Sequence, residues 1–326
     1  MTIRKYTDGG TRTPDHGSVR LNIVIVCYNC GAEIARLLAD IVDGDLPLEA
    51  IEFFVVDNAS GDDSRTLLRG LRLPRITLIE SPRNLGFAAG CNLGARDIGN
   101  SAPILFLNPD VRLQHDSLTG LLGFAADNTH CGIWGGITCN VRGELDGKSA
   151  WREPSLLDLL CWSLGVDALL GKVLGRTSGG YSLRAIRKNS DVDAVSGCFL
   201  LIEQKLFRAL DGFDEDFFLY SEEIDLCRRA RLLGARPRIT DRALIQHAGS
   251  QTLSGLNKLN HLYRSKLRYF RKHGGAFPAA VARWLIAFGT GLRMFAFSVL
   301  AMVNRRFAGR RELWRQFFTS QRQWTH

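Results

Sequence analysis

Three carboxylates, Glu222, Glu223 and Asp225, stand within four positions at the head of a stretch that reads as a helix over Ser221–Leu233. Acids are ordinary at a helix N-terminus, where the macrodipole is positive, and Ser221 has the chemistry of an N-cap. Like charges this close also repel, which raises a carboxyl pKa toward neutrality and suits a general base. The aromatic run before them, Phe213 to Tyr220, would shield such a base from water. A second feature is Asp110, which closes Asn108-Pro109-Asp110 after the apolar Leu105-Phe106-Leu107. One carboxylate suits a magnesium-like cation bridging two phosphates, since such ions keep several waters; a Pro-Asp turn is the plainer alternative. His247, in Gln246-His247-Ala248-Gly249-Ser250, is a metal-ligand candidate only in the company of Asp110.

Two more clusters look like ligand contacts. Val55-Val56-Asp57-Asn58-Ala59-Ser60 delivers a carboxylate at the end of an apolar run, where it can accept from a base N–H or a ribose hydroxyl; a turn or helix cap is the alternative. Asn84-Leu85-Gly86-Phe87-Ala88-Ala89-Gly90-Cys91-Asn92 opens a helix with small residues, and free N–H groups there suit phosphate. Tight packing of helix on sheet explains the same residues. Neither GxGxxG nor GxxxxGK[ST] occurs, so no Rossmann or P-loop site is expected.

The elements that must position these residues read as alternating strands and helices. Leu21–Cys27, Ile51–Val56, Arg75–Glu80 and Pro103–Leu107 are short apolar runs of strand character. Residues 31–42 place Ile34, Leu37, Leu38 and Ile41 at helical spacing, and Phe87–Ile98 reads as a small-residue helix. Asp193–Glu203 reads as a further strand. This order predicts an α/β fold with a mostly parallel central sheet flanked by helices. Residues 1–20 read as a flexible polar lead-in. Residues 140–190, with Trp151, Leu156, Leu157, Leu159, Leu160 and Trp162, read as an elaborated loop with one or two helices.

The net charge of +9 is unevenly placed. From Arg264 to His326 there are 13 Lys and Arg against one acid, Glu312; the rest of the chain holds 29 basic and 32 acidic residues. That is a near-neutral body with a basic tail, not a uniformly basic nucleic-acid binder, and it favours anionic surfaces. Within the tail, residues 281–303 are strongly apolar, but Arg283 and Arg293 argue against a spanning helix. At about 100° per residue, Arg283, Thr290, Arg293 and Asn304 share one narrow side with Ile286 and Phe297. This predicts a helix lying in a membrane interface, with Arg305, Arg306, Arg310 and Arg311 on acidic headgroups; packing on the body is the alternative. No secretory signal is read in Met1–Arg20. The eight cysteines read as reduced, buried thiols of a cytosolic protein. Cys27 and Cys30 form a CxxC without the second pair a zinc site wants, and core packing is the expectation.

Taken in order, Tyr28-Asn29, Val56-Asp57-Asn58-Ala59-Ser60, Asn84-x-Gly86-Phe87-x-x-Gly90, Asn108-Pro109-Asp110, Ser196-Gly197-x-x-x-Leu201, the Gly212-Phe213-Asp214-Glu215 run and the acidic helix start resemble the family 2 glycosyltransferases, especially a rhamnosyltransferase-like branch. Tyr263-Arg264-Ser265-Lys266 is similar to the family's tail entry, and the likeness spans about Leu21 to Gly275. His247-Ala248-Gly249-Ser250 departs from the family's His-x-Gly-x-Ser, its Ser following Gly directly.

The resemblance implies a GT-A fold over residues 21–275, with a basic amphipathic helical tail over 276–326 and the 140–190 region on the acceptor side. It implies inverting transfer of a sugar from a nucleotide-diphosphate donor, dTDP-L-rhamnose as the best guess, to a glycan or lipid-linked saccharide in cell-wall polysaccharide synthesis at the inner membrane face. Tyr28, Asn29, Asp57, Asn84, Gly86, Phe87, Asn92, Asn108 and Asp110 would contact the donor. Asp110 and His247 would hold Mg2+ or Mn2+. Glu223 stands at the base position, more often Asp in the family, with Glu222 and Asp225 as further candidates. A sugar nucleotidyltransferase is the first alternative, but Tyr28-Asn29-Cys30-Gly31-Ala32-Glu33 lacks the basic loop residues it needs. A non-catalytic nucleotide-sugar-binding protein at the membrane is the second.

Overall fold

The computed structural model describes residues 2–6, 19–167, 180–181, 189–247, 255–321 and 324. The chain divides into two compact units. The first comprises Met1–Arg152, Leu183–Phe218 and Glu222–Ser250. Its strands are β1 (Thr2–Tyr6), β2 (Leu21–Cys27), β3 (Ile51–Asp57), β4 (Ile76–Glu80), β5 (Ile104–Leu107), β6 (Val111–Leu113), β7 (Ile133–Cys139), β8 (Ala150–Trp151), β9 (Ser190–Asp191), β10 (Ala194–Val195), β11 (Phe199–Ile202) and β12 (Arg238–His247). Ten of them form one sheet, ordered β1-β4-β3-β2-β5-β11-β7-β12-β6 with β9 beside β12; β8 and β10 pair separately.

The expected parallel arrangement holds for β4-β3-β2-β5 and for β7 with β12. The remaining pairings of the large sheet are antiparallel, so the sheet is mixed. β2 and β3 are continuous apolar runs because both of their faces are covered. Helix α1 (Gly31–Val42) turns Ile34, Leu37, Leu38 and Ile41 inward, as their spacing requires. The other helices of this unit are α2 (Ser64–Gly70), α3 (Gly86–Ala95), α4 (Ser117–Asp127), α6 (Gln204–Ala209) and α7 (Glu222–Leu232); α5 belongs to the second unit. In α3, Gly90 and Gly94 meet Val26 and Val24 of β2 so closely that an added Cβ would stand 2.8 and 2.6 Å from their methyls. Small residues are therefore required there by packing.

Four expectations need correction. Thr2–Tyr6, read as part of a flexible lead-in, is a strand paired antiparallel with β4; Thr, Ile and Tyr are strand formers, and β4 offers an open edge. The single strand expected over Asp193–Glu203 is broken into β10 and β11 at Ser196-Gly197-Cys198. Cys27 and Cys30, read as reduced thiols, are joined by a disulfide, their Cα atoms lying 5.6 Å apart across the turn that ends β2. The division also falls elsewhere than residue 275: Glu153–Ser182 and Gln251–His326 cluster together as the second unit, with Leu219–Ser221.

That unit is helical: α5 (Leu156–Ser163), α8 (Gly255–Gly274), α9 (Ala276–Val303) and α10 (Ala308–Ser320). Its own core holds Leu159, Tyr263, Phe270, Leu285, Ile286, Phe317 and Trp324. Much of the 140–190 region, residues 168–179 and 182–188, lies outside the described residues. The polar side expected on α9 is divided: Arg283 and Asn304 are exposed, while Thr290 and Arg293 turn inward. Thr290 is fully buried and donates to Ile286 O at 2.7 Å. The Arg293 guanidinium sits 4.1 Å above the Trp162 ring and donates to Gly289 O at 3.0 Å and to the carbonyl of Trp162. A cation over indole, with its N–H groups bonded to carbonyls, satisfies the charge inside the unit.

Candidate active site

Parallel register opposes Cys27 to Asp57, so the turns after β2 and β3 emerge side by side at the carboxyl edge of the sheet. They are laced together. Asn58 N–H donates to Cys27 O at 2.7 Å, Asn29 N–H to Ser60 Oγ at 3.0 Å, and Gly61 N–H to Asn29 Oδ1 at 2.8 Å. Asn29 holds φ +52°, a left-handed turn that Asn tolerates better than most residues. Tyr28 is left exposed beside it. Asp57 is fully buried; its Oδ1 accepts from Ser60 N–H at 3.1 Å and its Oδ2 from Arg65 Nε at 2.8 Å. Arg65 carries no signal in the sequence pattern, yet it is the cation that meets this carboxylate.

Asn58, part of the same motif as Asp57, organises the next loop. Its buried amide donates to Asn84 Oδ1 at 3.1 Å and Gly86 O at 3.0 Å, and its Oδ1 accepts from Leu85 N–H at 2.9 Å. Gly86 N–H is taken by Asn84 Oδ1 at 2.9 Å, and Phe87 N–H by Phe218 O at 2.8 Å. The Leu85, Gly86 and Phe87 N–H groups at the start of α3, where a phosphate was expected, are thus taken by protein acceptors. Gly86 has another reason to be glycine. It adopts φ +83°, and a Cβ there would fall 2.2 Å from Phe218 O. Asn92 is also engaged by protein. Its amide donates to Phe213 O at 2.8 Å and to Glu215 at 3.1 Å, while its Oδ1 accepts from Phe213 N–H at 2.9 Å.

Asp110 and His247, 137 positions apart, are joined by sheet register. β12 runs antiparallel to β6 with His247 opposite Val111, the residue after Asp110. His247 Nε2 lies 3.3 Å from Asp110 Oδ2, and both side chains are largely buried. Asp110 Oδ2 and both His247 ring nitrogens have no hydrogen-bond partner. Buried polar atoms left unpaired are costly, and a hard cation bound by one oxygen and one imidazole nitrogen would satisfy them. The donor set thus fits a divalent metal completed by water and phosphate, although no group of three or more His, Cys, Asp or Glu gathers there among the described residues.

Glu222 and Glu223 are buried at the start of α7, each with an unpaired Oε2. Burial pushes the Glu223 carboxyl up to about 7, partly offset by hydrogen bonds from backbone and from the Trp151 side chain. Burial and the neighbouring Glu223 charge push Glu222 well above the usual carboxylate range. Asp225 differs: it is fully buried but ion-paired with Arg229 at 2.8 Å, and Arg229 also donates to Leu210 O and Gly212 O. That pairing engages Asp225 with the helix's own arginine, where Glu222 and Glu223 each keep an unpaired oxygen. Ser221 holds φ +67°, not the extended backbone of an N-cap, and Tyr220 before it holds φ +70°.

The loop that breaks the strand, Ser196-Gly197-Cys198, brings the two halves together. Cys198 O accepts from Asn108 N–H at 3.0 Å. A Cβ at Gly197 would stand 3.6 Å from that of Glu223 and 3.5 Å from the Phe87 ring. Burial raises the Cys198 thiol to about 12, and the charges of Asp110, Asp146 and Glu223 all act on it in the same direction. Asn108, two residues before Asp110, and Glu223 therefore both meet this loop. Asp146 acts on Cys198 and Trp151 on Glu223 without any local motif to announce them.

The model of the family described as "Glycosyl transferase family 2" matches residues 22–210. An N-acetylglucosaminyl-diphospho-decaprenol L-rhamnosyltransferase of Mycobacterium tuberculosis is 26% identical over 290 residues, covering 84% of this chain and 91% of that protein. Mannosyltransferase PcManGT from Pyrobaculum calidifontis, solved in complex with GDP-Man and Mn2+, aligns with a TM-score of 0.54 at 16% identity, over 97% of this chain and 88% of that one. TarS of S. aureus aligns with a TM-score of 0.52 at 17% identity, over 82% of this chain; the chain spans only 42% of the TarS length. At these identities the structural matches speak to the fold.

Proposed function

This chain belongs to glycosyl transferase family 2, and from that premise we propose that it is an inverting transferase using a nucleotide-diphosphate sugar, with Glu223 as its base and Asp110 and His247 as its metal ligands. The observation that carries this reading is that one loop, Ser196-Gly197-Cys198, meets both Asn108, two residues before Asp110, and Glu223; Asp110 lies beside an unpaired imidazole, and Glu223 is pushed toward neutrality by burial.

The residues divide the work. Tyr28 offers an exposed ring on which a nucleobase stacks. Asp57 and Arg65 present a paired charge at the neighbouring turn, where base or ribose polar groups exchange into the pair. A bound Mg2+ or Mn2+ supplies neutralisation of the leaving diphosphate. Glu223 accepts the proton of the acceptor hydroxyl as that oxygen attacks the anomeric carbon and the bond to diphosphate breaks. Glu222, held neutral beside it, leaves the single negative charge on Glu223.

L-rhamnose from dTDP-L-rhamnose is the donor we favour, supported by the name of the M. tuberculosis relative. The acceptor we propose is a glycan or lipid-linked saccharide of cell-wall polysaccharide synthesis, met by a cytoplasmic enzyme at the inner membrane face, with the 140–190 region helping to select it. Purified chain incubated with a panel of nucleotide sugars, with and without Mn2+, tests the reading. Donor-dependent release of nucleoside diphosphate, abolished by Glu223→Gln while donor still binds, is the expected result. Release of inorganic pyrophosphate would instead mark a nucleotidyltransferase, and binding without turnover would mark a non-catalytic sugar-nucleotide binder.

A further inference from the structure

Helix α9 is built inside out. Phe277, Trp284, Phe288, Phe295, Val299 and Met302 are all exposed, Trp284 at 62% and Met302 at 85%. At about 100° per residue they share an arc of only about 60°. Arg293, Thr290 and Ile286 lie on the far side, turned into the core of the helical unit. A surface helix of a water-soluble body shows the reverse, with its charged face outward. The stripe runs from Phe277 to Met302, about 38 Å at 1.5 Å per residue. It includes a flat aromatic platform, since the Trp284 and Phe288 rings stack at 5.4 Å with planes 7° apart.

Charge at the two ends says what covers it. Arg271 and Lys272 precede α9, and Arg305, Arg306, Arg310 and Arg311 follow it; all six are exposed. Glu312 is the one acid between Arg264 and His326. Antiparallel pairing of two copies along the stripe would set the basic end of one helix against the basic end of the other, which is repulsive. A bilayer with anionic headgroups takes both features at once, apolar side chains below and arginines among phosphates. Spanning is disfavoured although α9 is long and apolar enough to cross, because its other side carries Arg293 and is packed on protein.

The geometry points to α9 as a membrane-docking surface that lies in the plane of an anionic bilayer on its Phe277–Met302 stripe. This deepens the membrane side of the proposed function and does not depend on the donor or on the base.

The test uses the full chain with vesicles of phosphatidylcholine alone or of equimolar phosphatidylcholine and phosphatidylglycerol. The chain floats with the anionic vesicles at least ~10-fold more than with the neutral ones, and less at high salt. The double substitution Phe288→Glu with Phe295→Glu abolishes flotation and leaves donor-dependent release of nucleoside diphosphate unchanged. Flotation retained by the double variant overturns the proposal. So does a chain that ignores both vesicles and elutes as a dimer, which assigns the stripe to a second copy. Brominated lipid gives a reading without any Glu substitution: it quenches emission from the unchanged chain, and Trp284→Phe removes most of that quenching. Quenching identical in the two chains also overturns the proposal. Since no vesicle measurement requires turnover, a failed transferase reading and a failed docking surface remain distinguishable.

Discussion

The pKa of Glu223 makes the proposed base visible in a pH profile. The carboxyl is pushed up to about 7 by burial, and only its ionised form accepts a proton. The turnover rate is therefore expected to rise with pH through about 7 and level off above it. Glu223→Gln should lower turnover by about a hundred- to ten-thousand-fold with little change in donor affinity, read by steady-state kinetics and calorimetric titration. Donor with Mn2+ should stabilise the unchanged chain by about 2.7 kcal/mol at a hundredfold excess over Kd. Asp110→Ala should lose most of that Mn2+-dependent part, read as a thermal shift, and an undiminished shift would remove Asp110 from the metal site. Both residues stood out in the sequence because each closes or opens an element at a polar end. The partners of Asp225 and Asn92 were not legible, because Arg229 with its two carbonyls and the Phe213 turn 121 positions away are set by packing rather than by local pattern.

Among elements, the segment from Asn84 to Phe87 is held by backbone geometry more than by side-chain burial. Gly86→Ala should cost about 2 kcal/mol or more, since φ is positive and the new methyl meets a carbonyl. Denaturant unfolding checks this; a midpoint unchanged from the parent chain would contradict the close approach. Strands β2, β3, β4 and β5 and helix α1 were readable from apolar runs and spacing, since both faces of those strands are covered. The antiparallel half of the sheet was not. Register between β6 and β12, or β11 and β5, depends on long-range pairing that no local window contains. The start of α3 was hard to read for a related reason: a helix start with small residues looks the same whether its N–H groups await a ligand or are taken by Asn58, Asn84 and Phe218.

For the whole molecule, the two units carry separate cores and can be probed separately. Arg293→Ala empties the space between Trp162 and Trp314 and leaves carbonyls without donors. It should destabilise the helical unit by about 2 kcal/mol, seen as an earlier tryptophan-fluorescence transition in denaturant while circular dichroism of the sheet persists. A fluorescence midpoint identical to that of the parent chain would refute the caged guanidinium. The uneven charge was plain in the sequence, and it pointed correctly to a distinct basic part. Which side of α9 faces outward was not plain, because indole rings 131 and 21 positions away decide where one arginine goes.

The carbonyl of Phe218 acts as a tether between two chemistries. It is gripped by the first turn of α3, and four residues further on the chain reaches Glu222, beside the proton acceptor. A substitution that breaks this grip, such as Gly86→Ala, is therefore expected to disturb the start of α7 as well as the turn it changes.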